Sequence, residues 1–238
     1  MAGYEAWNPS QRLQRITKLA QRPDWSPHLH GFLLDALSDR SLREVTRNNI
    51  ANGLVRQHDR SAELVPLLLA MIDDERESTT WRVYAVQHAA AAITNGAAEQ
   101  TRTTIDRLID TANTHRDAIG ATALMHLHRL AAVYPAAADI LDGLIESRID
   151  DATCPDIELT TALSVIAERG RERDRPATVR ALSNASSDTV RRHAIAALGR
   201  IGSAEDEALI ASYTTSDNRL ITTAADAALA TLRRRHTP

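Results

Sequence analysis

The stretch Asp188-Thr-Val-Arg-Arg-His-Ala-Ile-Ala-Ala-Leu-Gly-Arg-Ile-Gly202 repeats its apolar pattern 31 residues later. This self-similarity constrains the fold more than any other feature of the chain. Val190, Ala194, Ala197, Leu198 and Ile201 recur at steps of three and four, which puts them on one stripe of a helix. Ile221, Ala225, Ala228, Leu229 and Leu232 occupy the same sites after the shift. Shifted back by 109, the run Trp81-Arg-Val-Tyr-Ala-Val-Gln-His-Ala89 falls into the same register, with Arg82 opposite Arg191 and Ala85 opposite Ala194. A short helix with one apolar face cannot bury that face alone. A chain that repeats such a unit stacks the copies so that each covers the next.

Each of these helices follows a shorter apolar one and an acidic or polar turn. The shorter helices centre on 32–39, 64–73, 105–110, 140–146, 178–184 and 207–213. The second helices are expected to start near 41, 78, 117, 155, 187 and 218, in steps of 31 to 39 residues, the range of two-helix repeats. Asn8-Pro9 and Ser26-Pro27 set a capping side chain before a first-turn proline. Ser78, Asp117, Asp188 and Asp217 read as further N-caps. Gly170 and Gly202 read as helix stops that tolerate positive φ. Residues 10–21, with Leu13, Ile16 and Leu19, read as an extra helix covering the open end of the first repeat. Aromatics make up only 3% of the chain, and its core must be built from Ala, Leu, Ile and Val, which suits close helix packing.

The order "apolar helix, Asp-containing turn, Val-Arg, Ala, Ala-Leu-Gly" resembles HEAT and HEAT-like repeats. The match is best over residues 178–234 and present over 62–95. At 119–130 and 157–166 the stripe persists without the arginine. The resemblance implies an all-α, right-handed superhelix of about six hairpins with an N-terminal capping helix, second helices lining the concave side. The expected organisation is one domain: a cap over 1–25, then repeats at 26–60, 61–97, 98–135, 136–170, 171–203 and 204–238.

Charge narrows the function. Twenty-eight basic against 31 acidic residues leave a net charge of −3. Proteins that hold phosphate backbones need a basic excess, so nucleic acid is not an expected partner. Every basic residue except Lys18 is arginine. No apolar run has the length of a membrane span. The first residues lack the charged and apolar regions of a secretory signal. The lone Cys154 cannot close an internal disulfide. A cytoplasmic protein is expected. Residues 136–158 carry Asp139, Asp142, Glu146, Asp150, Asp151, Asp156 and Glu158 against Arg148 alone, and Arg169–Arg175 has four arginines in seven residues. The plain reading is a solvated helix and a charged turn. The alternative is a docking surface with adjoining patches of opposite sign.

No motif for catalysis, cofactor or metal emerges. His28/His30 and His126/His128 are two apart and point to different faces of a helix. The zinc spacing His-Glu-x-x-His is absent. Deoxyhypusine hydroxylases, built on HEAT-like hairpins, hold iron with His-Glu dipeptides, and no His here precedes Glu. His58-Asp59 is a lone dipeptide. Alkylpurine glycosylases with HEAT-like repeats need a basic groove with aromatics and an acid, whereas Trp81 sits at the Val190-equivalent core position and Trp7 and Trp25 in the cap region. Phycobilin lyases share the short repeat type, without a bilin-holding motif here. Cys154 lies at a helix start, where the dipole can lower a thiol pKa, but no base neighbours it in sequence. Taking the HEAT-like register, the groove row is Asn48, Asn52, Tyr84, Gln87, Met125, His126, Thr161, Ser164, Arg192, His193, Thr222 and Thr223. This mostly uncharged polar row is expected to bind a protein or peptide without catalysis. Alternatives are a glycosylase-type DNA-binding protein and an accessory lyase or chaperone for a cofactor protein.

Overall fold

The computed structural model describes residues 8–20, 25–57, 62–93 and 98–236, and these are helical without any strand. The order is α1 (Pro9–Ala20), α2 (Pro27–Ser38), α3 (Glu44–Arg56), α4 (Leu64–Asp73), α5 (Thr79–Ile93), α6 (Ala98–Thr114), α7 (Ala118–Ala131), α8 (Ala136–Asp150), α9 (Asp156–Arg169), α10 (Arg175–Ser183), α11 (Asp188–Ile201), α12 (Glu207–Ala211) and α13 (Arg219–His236). Single 3₁₀ turns at Glu172–Asp174 and Ala204–Asp206 lead into α10 and α12. The helices gather into two compact units, Met1–Leu108 and Ile109–Pro238.

In the first unit α1, α2 and α5 pack on α3, and α4 packs on α5. In the second, α7, α9, α11 and α13 form a row in which each helix packs on the next. Helices α8 and α10 pack on each other alongside it, and α8 pairs with α9, α10 with α11 and α12 with α13. Such packing is compatible with an α-helical solenoid. The repeated stripe is the core: Val190, Ala194, Ala197, Leu198 and Ile201 are buried, and so are Ile221, Ala225, Ala228, Leu229 and Leu232.

Five of the six second helices start one residue after the expected position. The first starts three later, because Asp39 closes a turn. Its carboxylate accepts from the Ser41 N–H at 2.9 Å, and its carbonyl accepts from the Leu42 N–H at 3.1 Å. Asp74 and Asp151 accept from the N–H two residues on in the same way, and all three aspartates stand five residues before a second helix. This Asx turn is the physical content of the "Asp-containing turn". Ser26, Ser78 and Asp117 cap as expected. Two caps differ from expectation. Ser187 Oγ, not Asp188, accepts from Val190 N–H, and Asn218 Oδ1, not Asp217, accepts from Leu220 N–H. Asp188 instead pairs with Arg191 and accepts from Asn218 Nδ2.

The glycine stops divide as well. Gly170 is left-handed at φ 63°, as its type allows. Gly202 has φ −66° and needs no such freedom. A Cβ there would lie 2.5 Å from Leu198 O and 2.8 Å from Asp206 Oδ2, so Gly202 is required by close approach.

The arginine at the fourth position of the second helices has a structural job. Arg82 donates from Nε to Ile72 O at 2.6 Å, and Arg191 from Nη2 to Ala185 O at 2.9 Å. Arg47, at the same position of α3, donates from Nε to Leu37 O at 2.8 Å. Arg82 and Arg47 thus meet carbonyls in the last turn of the preceding helix, where four such groups lack intrahelical partners, and Arg191 meets one in the turn just beyond it. Arg47 is buried, forks onto Glu77 with two contacts of 2.7 Å and lies 4.1 Å from the Trp81 ring centroid. Trp81 itself is fully buried, as its register requires.

Candidate functional site

The groove row divides between the units. On adjacent helices α3 and α5 of the first lie Asn48, Asn52, Tyr84 and Gln87, all half-buried. Asn48 Oδ1 stands 2.7 Å from His88 Nε2, which ties the two helices, and Asn52 Nδ2 donates to Asn48 O at 3.0 Å. Tyr84 meets the Trp81 ring edge-on at 6.2 Å, so its ring is partly a core group.

In the second unit Met125, His126, Thr161, Ser164, Arg192, His193, Thr222 and Thr223 follow the row from α7 to α13. Most of their polar atoms are already engaged by their own helices. Thr161 Oγ1 donates to Ile157 O at 2.7 Å and Ser164 Oγ to Thr160 O at 2.7 Å. His193 Nδ1 lies 2.9 Å from Thr189 O, and Thr223 Oγ1 donates to Arg219 O at 2.8 Å. His126 is half-buried, and burial, aided by the Arg129 charge, pulls its pKa down to about 4. It is a neutral imidazole near pH 7.

Sequence reasoning missed the apolar part of this face. Ile157 and Leu220 are the second residues of α9 and α13, and they are 46% and 59% exposed. Val45, second in α3, is 54% exposed. Each stands three or four residues before a row member: Val45 before Asn48, Ile157 before Thr161, Leu220 before Thr223. Residues so spaced are neighbours on one helix face. The signal available in the sequence was a branched apolar residue at the second position of α3, α9 and α13; in α7 the same position holds Ile119, which is buried.

The acidic stretch and the arginine run meet at one residue, Asp142, and the other ion pairs of the stretch go to arginines outside the run. Asp142 pairs with Arg169, Arg171 and Arg173. Asp150 pairs with Arg180 at 2.9 Å and Asp151 with Arg116 at 2.5 Å. Glu158 is fully buried at the third position of α9, the site that Trp81, Val190 and Ile221 fill elsewhere. Its Oε2 lies 3.0 Å from Arg148 Nε and 3.4 Å from Arg116 Nη1. Gly120 lies beside it: a Cβ there would stand 2.0 Å from His115 O, which requires the glycine, and 3.2 Å from Glu158 Oε1. Burial raises the Glu158 carboxyl above its ordinary value, against the pull of Arg148 and Arg116.

Cys154 is buried, and burial pushes its thiol up to about 11, away from the thiolate a nucleophile requires. Among the described residues no group of three His, Cys, Asp or Glu side chains stands close enough to hold a metal ion. Among them, too, no helix is long and apolar enough to cross a membrane. Trp7 and His58-Asp59 lie outside the described residues.

No family model matches the chain, and no curated protein matches it. Among solved structures, the crystal structure of an engineered protein is similar at 16% identity and a TM-score of 0.49, covering 86% of this chain and 96% of that one. Human deoxyhypusine hydroxylase in complex with glycerol is similar at 12% identity and a TM-score of 0.38, covering 98% of this chain and 100% of that one. Both scores lie under 0.5, so neither likeness bears on function.

Proposed function

We propose that the helical pairs are HEAT-like repeats and that the chain is a non-catalytic scaffold binding a protein or peptide. The docking face is the edge of the row formed by α9, α11 and α13. The observation that carries this is the placement of Ile157 and Leu220, exposed on α9 and α13, with Thr189 at the same position of α11 between them. Single exposed apolar residues are common and mean little. An alignment of them at one repeat position, beside Thr161, Arg192 and His193, is the mixed apolar and polar make-up of an interface. The near-neutral charge and the arginines already committed to carboxylates argue against a phosphate backbone as the partner.

The test is affinity capture from lysate of the source cells with the full chain and with an Ile157→Asp/Leu220→Asp variant. Both side chains are exposed, so the variant is expected to keep its thermal midpoint. A protein retained by the parent chain and lost by the variant supports the scaffold. Equal retention by both moves the docking face elsewhere. Nuclease-sensitive material released steeply by salt would instead favour a nucleic-acid partner.

A further inference from the structure

Helix α11 packs on α9, α13 and α10. Past Arg191, which turns back to the Ala185 carbonyl, the residues of α11 that are not buried are Arg192, His193, Ala196 and Arg200. Steps of four put Arg192, Ala196 and Arg200 on one stripe, and their eight-residue span sets the two arginines about 12 Å apart along the axis. Thr189 opens the same stripe, between the exposed Ile157 of α9 and Leu220 of α13.

The charge of this stripe is not balanced within the fold. Arg169, Arg175, Arg180 and Arg191 of the same unit each hold a carboxylate. Among the described residues, Arg192 and Arg200 form no ion pair, and neither does Arg219, which precedes Leu220. At the matching positions of α9 and α13 the one charged residue is Glu168, and it lies 3.2 Å from His128 Nε2. Two carboxylates stand near the margins without occupying stripe positions: Asp156 begins α9, and Asp226 has the register of Ile195. Thr161 and Ser164 on one side and Ala224 and Ala227 on the other are short, so both guanidinia rise from a low surface.

Resting on the scaffold reading above, we infer that the occupant of this face is an acidic amphipathic helix of a protein partner. It lies along α11, with an apolar side chain between Ile157 and Leu220, one carboxylate on Arg192 and a second on Arg200. A helix following α11 must carry those carboxylates seven or eight residues apart to span about 10–12 Å, with the apolar residue about one turn beyond the nearer one. An extended segment would need them only about three or four apart. Ion pairs at such an exposed rim select and steer more than they bind, so the apolar contact supplies the affinity and the two arginines choose the partner.

The experiment is selection from a displayed library of random peptides of roughly 16 residues, long enough for four helical turns, on the immobilised full chain. The selected peptides are then measured by fluorescence anisotropy against the parent, an Arg192→Glu/Arg200→Glu variant and the Ile157→Asp/Leu220→Asp variant, with circular dichroism confirming that each variant keeps its helices. The expected peptides carry two acids seven or eight residues apart and an apolar residue one turn outside them. They should bind about tenfold or more weakly to the arginine variant, and their Glu→Gln and Asp→Gln versions should lose as much on the parent. Peptides lost by the Ile157→Asp/Leu220→Asp variant but held equally by the arginine variant would overturn the acidic helix and leave the scaffold reading standing. So would acids spaced three or four apart, or displacement of the peptides by a single-stranded oligonucleotide in preference to an acidic peptide. A selection that yields no peptide, or only peptides that neither variant weakens, would remove the row face as a docking site and both readings with it.

Discussion

Arg191 and Arg192 are neighbours in sequence with different work. Arg191 holds the Ala185 carbonyl beyond the end of α10 and pairs with Asp188, whereas Arg192 stands half-buried on the row face. A hydrogen bond from a charged donor to an otherwise orphaned carbonyl contributes about 1.5–3 kcal/mol in protected settings, and solvent reduces that here because Arg191 is partly exposed. Arg191→Ala is expected to lower the stability by about 1 kcal/mol in urea denaturation. Arg192→Ala is expected to change it by less than about 0.5 kcal/mol. Equal losses would mean that the fourth-position arginine has no capping role. The Val-Arg pattern was visible in the sequence, but its purpose was not. The carbonyls that Arg82, Arg191 and Arg47 meet lie six to ten residues upstream, and nothing in the pattern says where a guanidinium turns.

At the scale of the element, two glycines inside helices separate packing from propensity. Gly143 lies exposed in α8, and a Cβ added there would have nothing within 4 Å. Gly143→Ala is expected to raise the stability by about 0.4–1 kcal/mol, since alanine costs the unfolded chain less freedom to fix as helix. Gly199 lies where α11 meets α13, and its Cβ would stand 2.6 Å from Ala228 Cα. Gly199→Ala must therefore push two backbones apart and is expected to cost about 1–3 kcal/mol. Thermal denaturation of the two variants should show midpoints moving in opposite directions.

The entry into α12 carries a pH dependence. Burial raises the Asp206 carboxyl, but the fork from Arg175 and the Ser203 N–H outweigh it and leave its pKa below the ordinary 3.8. A carboxyl lowered in the folded state contributes stability that is present above its unfolded value. The contribution is lost as pH falls through the folded value. Acidification below about pH 4 should thus destabilise the parent chain. Asp206→Asn should be less stable at neutral pH and lose less on acidification, as read by denaturant midpoints along a pH series. Parallel pH profiles would remove Asp206 from the acid limb.

For the whole molecule, periodicity made the helices legible and chemistry between repeats illegible. The second-helix starts and the buried stripe followed from spacing alone. The pairing of Asp142 with Arg169, of Arg175 with Asp206 and of Arg148 with Ala112 O joins residues 27, 31 and 36 apart. These separations are close to one repeat, but which charge meets which depends on how far one helix is rotated on the next. Glu158 shows the limit most clearly: by type it belonged to a solvated acidic run, and by register it stands in the core. Most of the partly exposed ion pairs contribute about 0–1 kcal/mol each, so apolar contact between successive helices must hold the row together. Removal of residues 187–238 tests that directly. It strips α11 from α9 and leaves Ala162, Val165 and Ile166, now wholly buried, on or near an uncovered face. A contiguous apolar face left open to water favours association. The truncated chain is expected to aggregate or to lose helicity per residue in circular dichroism, with sedimentation reporting its mass. A monomer with undiminished helicity per residue would show that α7, α8 and α9 need no further neighbour, and the stacked-repeat account of the second unit would fall.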